Sequence, residues 1–207
     1  LSYSYTLSDL SNVIIPKTGA PVNLTSNYDA SCNIILNWSV PSNNSAITAS
    51  SYNIYDANNV LIVSTSALSY TFLNQISGQS YSYTVKSLYK TFEGGSSTTT
   101  IAIPVCAPAI NVLNSFDTTG SISITWSYPQ TMVNIDNFAI FDIYNNKLSP
   151  SIPASPDTAN YFFVMGNSYP LGSTYSFYIL SYNKGVPSIA SLQTSVSLPI
   201  PSVPLNL

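Results

Sequence analysis

The sequence predicts an all-β chain: two tandem seven-stranded β-sandwiches, preceded by an extra N-terminal strand. Three observations carry that expectation. The first is an internal repeat. Ile34-Ile35-Leu36-Asn37-Trp38-Ser39-Val40-Pro41 recurs as Ile122-Ser123-Ile124-Thr125-Trp126-Ser127-Tyr128-Pro129, so the two tryptophans stand 88 residues apart. An asparagine, Asn23 or Asn111, precedes each tryptophan by 15 residues. The second is texture: Val, Ile, Tyr, Phe and Thr dominate, Pro and Gly interrupt at short intervals, and no stretch has helical periodicity. The third is size: 207 residues, 45% of them hydrophobic, hold two cores of about 90 residues each.

Taken along the chain, Leu1, Tyr3, Tyr5 and Leu7 alternate with Ser2, Ser4, Thr6 and Ser8, a strand with one apolar face. Leu10, Val13, Ile14 and Ile15 carry the apolar character to Pro16. Residues 1–18 are therefore read as a strand and linker, 19–105 as the first sandwich and 106–200 as the second. Residues 201–207 are a tail or the start of a further module, because Pro204-Leu205-Asn206-Leu207 echoes Pro21-Val22-Asn23-Leu24. Alternation at Tyr52 and Ile54 and at Tyr81, Tyr83 and Val85 marks later strands of the first sandwich. Gly78-Gln79-Ser80-Tyr81-Ser82-Tyr83 returns as Gly172-Ser173-Thr174-Tyr175-Ser176-Phe177 in the second.

Each repeat resembles a fibronectin type III domain. Pro21, Trp38, Tyr52-Asn53-Ile54-Tyr55 and Ile76-Ser77-Gly78-Gln79-Ser80-Tyr81 follow the family pattern in the first copy. Trp126, Phe138 to Tyr144, and Tyr169-Pro170-Leu171-Gly172-Ser173-Thr174-Tyr175 follow it in the second. The corner of the first copy is one residue short and lacks its proline. The resemblance implies that Trp38 and Trp126 anchor the cores. It also implies that Tyr81 and Tyr175 bury their rings and return a hydroxyl to nearby backbone. The fold leaves function open, since this sandwich serves many roles.

The leftover features point further. An exposed one-faced strand invites aggregation, so the segment of Leu1, Tyr3, Tyr5 and Leu7 has to pair. It pairs with an edge of its own first sandwich, belongs to a preceding module, or enters a sheet edge or groove of the next subunit, which is strand donation. In an odd-stranded antiparallel sandwich, the turn into the second strand and the end of the last strand share one pole. Cys32 and Cys106 both fall there, and a disulfide between them is expected, in an oxidising compartment. Three sequons, at Asn23, Asn37 and Asn43, are candidate N-glycosylation sites; Asn43 lies in a turn, and alternation turns Asn37 outward. Asp136 and Asp142, with Asn134 and Asn137, do not match calcium-loop spacing and read as turn caps. Lys17 reads as an exposed linker residue.

Charge narrows the function. Five lysines, no arginine, no histidine, seven aspartates and one glutamate give a net charge of −3, with only 6% of residues charged. A basic stripe for nucleic acid is absent, as is the histidine that catalytic triads and most zinc sites need. No apolar run is long enough for a transmembrane helix. No cofactor is expected and an enzyme is not. Protonating all eight carboxylates takes the chain only from −3 to about +5, which predicts tolerance of acid. The Tyr, Ser, Thr and Asn bias with scarce charge is similar to cell-surface proteins of acidophilic archaea such as the Sulfolobales. That resemblance implies a glycosylated thread-type subunit joined to its neighbours by a donated strand. The same composition suits a fibre or capsid-associated protein of a virus with an AT-rich genome. The expected role is a non-catalytic, extracellular, cell-surface structural subunit. It would polymerise head to tail with copies of itself and carry N-linked glycans. The alternative is a tandem module of a larger adhesin, virion surface protein or secreted carbohydrate-active enzyme.

Overall fold

The computed structural model describes residues 17–42, 47–166 and 169–200. Among them there are fifteen strands and no helix. In the first repeat these are β1 (Val22–Tyr28), β2 (Ile34–Ser39), β3 (Ser51–Tyr55), β4 (Leu61–Thr65), β5 (Ser69–Phe72), β6 (Ser80–Tyr89) and β7 (Phe92–Ala102). They form a three-stranded sheet ordered β1-β2-β5 and a four-stranded sheet ordered β4-β3-β6-β7. The second repeat contains β8 (Ile110–Phe116), β9 (Ile122–Ser127), β10 (Asn137–Asp142), β11 (Ile152–Pro153), β12 (Asn160–Met165), β13 (Thr174–Asn183), β14 (Val186–Pro187) and β15 (Thr194–Ser197). Its sheets are β12-β9-β8 and β11-β10-β13, with both β14 and β15 on the far side of β13. Both repeats are thus two-sheet sandwiches with the fibronectin type III strand order. All seven strand positions of each are filled by residues 22–197, the last position of the second being split in two.

Alternation explains the cores. β2 and β9 have the same pattern, with Ile34, Leu36 and Trp38 in one and Ile122, Ile124 and Trp126 in the other buried at every second residue. Their partners across each sandwich come from the opposite sheet: Tyr52, Ile54, Tyr83 and Val85 in the first, Phe138, Ile140, Phe177 and Ile179 in the second. Burying each such side chain stabilises by roughly 1.5–3 kcal/mol.

By contacts the chain divides into two compact units. One consists of residues up to 27 with 35–71 and 81–101; the other consists of 28–34, 72–80 and everything from 102.

The loops are built on aspartate. Asp29 Oδ1 accepts from the backbone N–H of Ser31 and Asn33, both at 2.9 Å. Asp117, 88 residues later, does the same for Thr119 and Ser121 at 2.8 and 3.0 Å. Asp56 and Asp142 repeat the device in later hairpins. Such turns need a short side chain whose oxygen mimics a backbone carbonyl. Asp142 is therefore a turn cap, as its spacing suggested. Asp136 Oδ2 accepts the backbone N–H of Lys184.

The repeated asparagine also acquires a reason. Asn23 and Asn111 have φ of 53° and 52°. Between Ile110 and Leu113 β8 takes three residues for the two of β9 from Ser127 to Thr125, a bulge that contains Asn111. A left-handed residue suits such a bulge, and asparagine tolerates that conformation better than most side chains.

Candidate functional site

Two edges of the repeats, formed by corresponding residues, differ sharply. In the first sandwich, residues 18–21 are clamped onto β7 and onto Ser87 of β6. The N–H of Gly95 donates to Thr18 O at 2.9 Å, Ser87 Oγ to Gly19 O at 2.6 Å and Ser97 Oγ to Pro21 O at 2.5 Å. Thr18 Oγ1 and Ser87 Oγ share a buried hydrogen bond of 2.6 Å. Two glycines permit this approach. A Cβ on Gly94 would collide with Thr18 Oγ1, and one on Gly95 would lie 2.5 Å from Ala20 N.

The second sandwich has Ser188 and Ile189 at the same distance after the left-handed hairpin lysine (Lys184, matching Lys90). Here the edge strand buckles. Ser188 N–H donates to Ser181 O and Ser191 N–H to Ile179 O, so three residues on one strand face two on β13. The interval from Ser191 to Thr194, which pairs with Phe177, repeats the mismatch. These are two successive one-residue bulges. The serine hydroxyls repair the ladder: Ser188 Oγ accepts from Ser181 N–H and donates to Ile189 O, and Ser191 Oγ accepts from Ile179 N–H and donates to Leu192 O. The bulges turn Ile189 and Leu192 out to solvent at 69% and 88% exposure.

What results is an open apolar groove of about 590 Å³ between Pro108–Val112 and Ile189–Gln193. Ile110 and Leu113 add exposed apolar surface on β8. No lining residue is charged. β8 is the end strand of its sheet, and β15 of the other sheet lies beside it, with Asn114 Nδ2 donating to Thr194 Oγ1. Sequence reasoning missed this groove. The contrast between Gly94-Gly95 and Ser188-Ile189 was its only signal.

The structure corrects the disulfide. Cys32 and Cys106 are free thiols, both fully buried. Both lie in the second compact unit, but Cys32 sits on a left-handed turn residue (φ 60°), where the other repeat has Gly120. Its thiol donates to Asn183 Oδ1 at 3.6 Å instead of bonding to Cys106. Burial raises both thiol pKa values, that of Cys106 to about 11. At pH 8 that leaves about one Cys106 in a thousand as thiolate. A thiol-specific chromogenic reagent is expected to find no reactive cysteine in the native chain and two after unfolding. A count of zero after unfolding would reinstate the bridge.

The corner tyrosines also differ from expectation. Tyr175 does donate its hydroxyl to Pro170 O at 3.0 Å, but its ring and that of Tyr81 are only half buried. The fully inward residues are the next but one, Tyr83 and Phe177. Burial pushes the Tyr83 hydroxyl up to about 12.

Of the sequons, Asn23 and Asn37 are both exposed, and Asn43 lies outside the described residues. The strand of Leu1, Tyr3, Tyr5 and Leu7 also lies outside them. Lys17 is exposed. Among the described residues no group of three His, Cys, Asp or Glu side chains is arranged to hold a metal, and no helix is long and apolar enough to cross a membrane.

Glu93 on β7 is the most perturbed carboxylate. Its Oε1 accepts from the Tyr55 hydroxyl and from Asn53 Nδ2, and Lys86 Nζ stands 2.9 Å from Oε2. The tyrosine hydrogen bond foremost, then the lysine, hold its pKa at about 2. Hydrogen bonds likewise lower Asp29, Asp117 and Asp142: backbone N–H of Asn33 leads for Asp29, and the side chains of Thr119 and Asn146 lead for the other two. These groups favour the folded state fully above the ordinary carboxyl range. They lose that contribution as pH falls through their lowered folded values. Acid tolerance therefore has a floor that net charge alone did not predict. The Glu93→Gln variant is expected to show a flatter fall in urea midpoint between pH 4.5 and 2 than the parent. Equal slopes would remove Glu93 from the acid response. The network is partly open to water, so the slope and not its size is the readout.

Comparison with known proteins adds little beyond fold. No family model matches the chain, and no curated protein matches it. Solved structures do. The two-domain fibronectin type III segment of chicken tenascin is 14% identical over 86% of this chain and 98% of its own, with a TM-score of 0.42. The chicken interferon gamma receptor alpha chain is 13% identical over 88% of this chain and 100% of its own, with a TM-score of 0.38. The central fibronectin type III array of a RIM-binding protein is 14% identical over 89% of this chain and 64% of its own, with a TM-score of 0.34.

Proposed function

We propose that the chain is a non-catalytic, extracellular structural module that associates with copies of itself by donating its N-terminal strand. The observation that carries this reading is that residues 22–197 already fill every strand position of both sandwiches. The alternating sequence of Leu1, Tyr3, Tyr5 and Leu7 is therefore surplus to both, and as a strand its apolar face would need a partner. A sparsely charged, hydroxyl-rich composition supports the same reading, because little charge repulsion keeps copies apart. A head-to-tail contact of this kind builds an open filament when its rotation does not close. Glycans on the exposed Asn23 and Asn37, and on Asn43, would solubilise the rest. Thread-type kinship to acidophile surface proteins rests on composition alone and stays part of this proposal.

Sedimentation of the full chain over a range of concentrations, followed by negative-stain imaging, tests it. Concentration-dependent growth into linear polymers is expected; a monomer at every concentration overturns it. Peptide mass mapping of material from the native source reads the sequons, and unmodified asparagine at all three removes the glycan part.

A second reading has one observation behind it. A cavity of about 350 Å³ in the second sandwich is lined by Asp142, Tyr144, Tyr169 and Tyr175, and Tyr144 is 78% exposed. Tyrosine faces beside a carboxylate suit a neutral sugar, which would make the chain a binding module of a larger adhesin or carbohydrate-active protein. Binding on a glycan array that the Tyr144→Ala variant loses would favour it over self-association.

A further inference from the structure

We infer that the outer face of the β12-β9-β8 sheet is a lateral pairing surface, on which the same face of a second copy sits. The inference goes beyond strand donation: it concerns a different surface and needs no N-terminal strand.

The two repeats use this face differently. In the first, the exposed side chains of β1 and β2 are Asn23, Thr25, Asn27 and Asn37, all polar, and two sequons begin there. In the second, the corresponding triplets are Asn111-Val112-Leu113 and Thr125-Trp126-Ser127, and neither is a sequon. The change from Thr25 to Leu113 removes a glycan acceptor and adds an apolar side chain in one step. Leu113 and Phe162 flank Thr125 in one row across the three strands, and Val164 stands opposite Ser123 in the next. Leu113 is 65% exposed and Phe162 72%, and Val164 and Ile110 are exposed beside them. An apolar patch of this kind, bare where its counterpart is polar, marks a contact surface.

Three observations name a second copy as the occupant. The first is charge. β8, β9 and β12 contain no charged residue, so the face does not repel its own copy and gives a charged partner nothing to pair with. The second is polar satisfaction. Asn111 Nδ2 donates to Ser127 Oγ at 3.3 Å, and Ser127 Oγ donates to Asn160 Oδ1 at 2.8 Å. These side chains answer one another, which suits an apolar protein face better than a ligand that needs polar groups to orient it. The third is shape. Phe162 stands at the rim of a hollow of about 340 Å³ whose lining includes Leu113, Thr125 and Asn160. A cavity of about 150 Å³ already admits benzene, so this one has room for a phenyl ring. A knob and a hole on one face is the self-complementarity that a two-fold pair requires: the Phe162 ring of each copy enters the hollow of the other.

Area sets the strength. Three strands about 4.8 Å apart and seven residues of about 3.3 Å cover a footprint of roughly 15 by 23 Å. That is below the roughly 800 Å² a side that stable partners bury, so a single contact is weak. Repeated between copies already held in a polymer, it becomes effective through local concentration.

Sedimentation equilibrium of full-length chains tests this. A Tyr3→Asp/Tyr5→Asp chain, whose N-terminal segment no longer presents an apolar face, is expected to form dimers and stop there. Phe162→Ser and Leu113→Thr in that chain are each expected to raise the dimer dissociation constant about tenfold or more, with thermal stability unchanged because both positions are exposed. Phe92→Ser, at an exposed phenylalanine of the first repeat, is expected to leave pairing as it was. Dimers that survive Phe162→Ser overturn the face. Growth of the Tyr3→Asp/Tyr5→Asp chain beyond two copies overturns the two-fold arrangement. If that chain is monomeric at every concentration while the parent polymerises, the pairing face falls and strand donation stands. A parent that is monomeric throughout overturns both.

Discussion

Replacing Gly94 or Gly95 by alanine is expected to destabilise the first sandwich by several kcal/mol. The added methyl of Gly94→Ala meets Thr18 Oγ1 and, at 2.5 Å, Thr18 O; that of Gly95→Ala meets the backbone of Gly19 and Ala20. Overpacking of this kind costs about 1–3 kcal/mol where side chains can yield. Backbone cannot yield without leaving its place. The cheapest escape for the chain is to lift residues 18–21 off β7. That surrenders the hydrogen bonds from Gly95 N–H to Thr18, from Ser87 to Gly19 and from Ser97 to Pro21, each contributing about 1 kcal/mol net. Urea denaturation measures the total, and amide exchange of Gly95 shows where it falls. The two substitutions differ in one respect. In Gly94→Ala the nearest clash is a side chain, so adding Thr18→Ser, which keeps the hydroxyl but drops the methyl, restores little, while Thr18→Gly restores part. Nothing rescues Gly95→Ala, where every close neighbour is main chain. Parent-like stability in Gly95→Ala would show that the 18–21 clamp is not built as described.

How much of this was legible beforehand follows from the physics of each feature. Trp38 and Trp126 were readable because a buried strand shows its face in the sequence at every second residue, and β2 and β9 do so identically. Asn23 and Asn111 were readable as a repeat, but their purpose was not. A left-handed φ leaves no periodic mark; only the choice of asparagine hints at it. Gly94-Gly95 inside a strand was the overlooked sign, since adjacent glycines in a strand commonly announce a close backbone approach. The groove was hidden for a different reason. Val186 to Ser197 reads as ordinary β sequence, and the two bulges depend on Ser188 and Ser191 standing in for backbone carbonyls of their own strand. Serine is too common in this chain to be noticed in that role. The disulfide expectation rested on pole-level topology, which does not fix Cβ direction, on which a bridge depends. The half-burial of Tyr81 and Tyr175 has the same root: period-two reasoning finds a face, not depth.

The second large effect is expected from Trp126→Ala, at about 3–5 kcal/mol, the range for deleting a buried aromatic. Trp126 is 1% exposed and sits at the centre of an aromatic cluster. It stacks on Tyr161 with centroids 5.7 Å apart and meets the edge of Phe138 at 5.6 Å; Tyr161 and Phe138 also touch, at 5.0 Å. Tyr161 is its direct cross-strand partner, and its hydroxyl donates to Ser155 O at 2.8 Å, holding the loop before β12. Loss of the indole therefore opens a cavity and unseats a ring that a loop depends on, two costs that add. Trp38, at the same place in the first sandwich, meets the edge of Tyr52 at 5.5 Å. Trp38→Ala is expected to cost the first sandwich about 3–5 kcal/mol as well. Aromatic pairs are worth about 0.5–1.5 kcal/mol beyond their area, which truncation also removes. Neither indole N–H has a hydrogen-bond partner among the described residues, so Trp126→Phe removes a buried donor together with volume and should recover more than half of the loss. Two denaturation midpoints per variant, one from near-ultraviolet dichroism of the remaining tryptophan and one from the far-ultraviolet signal, separate the sandwiches. If Trp126→Ala leaves the transition of the second sandwich unmoved, ring packing is not what holds that core.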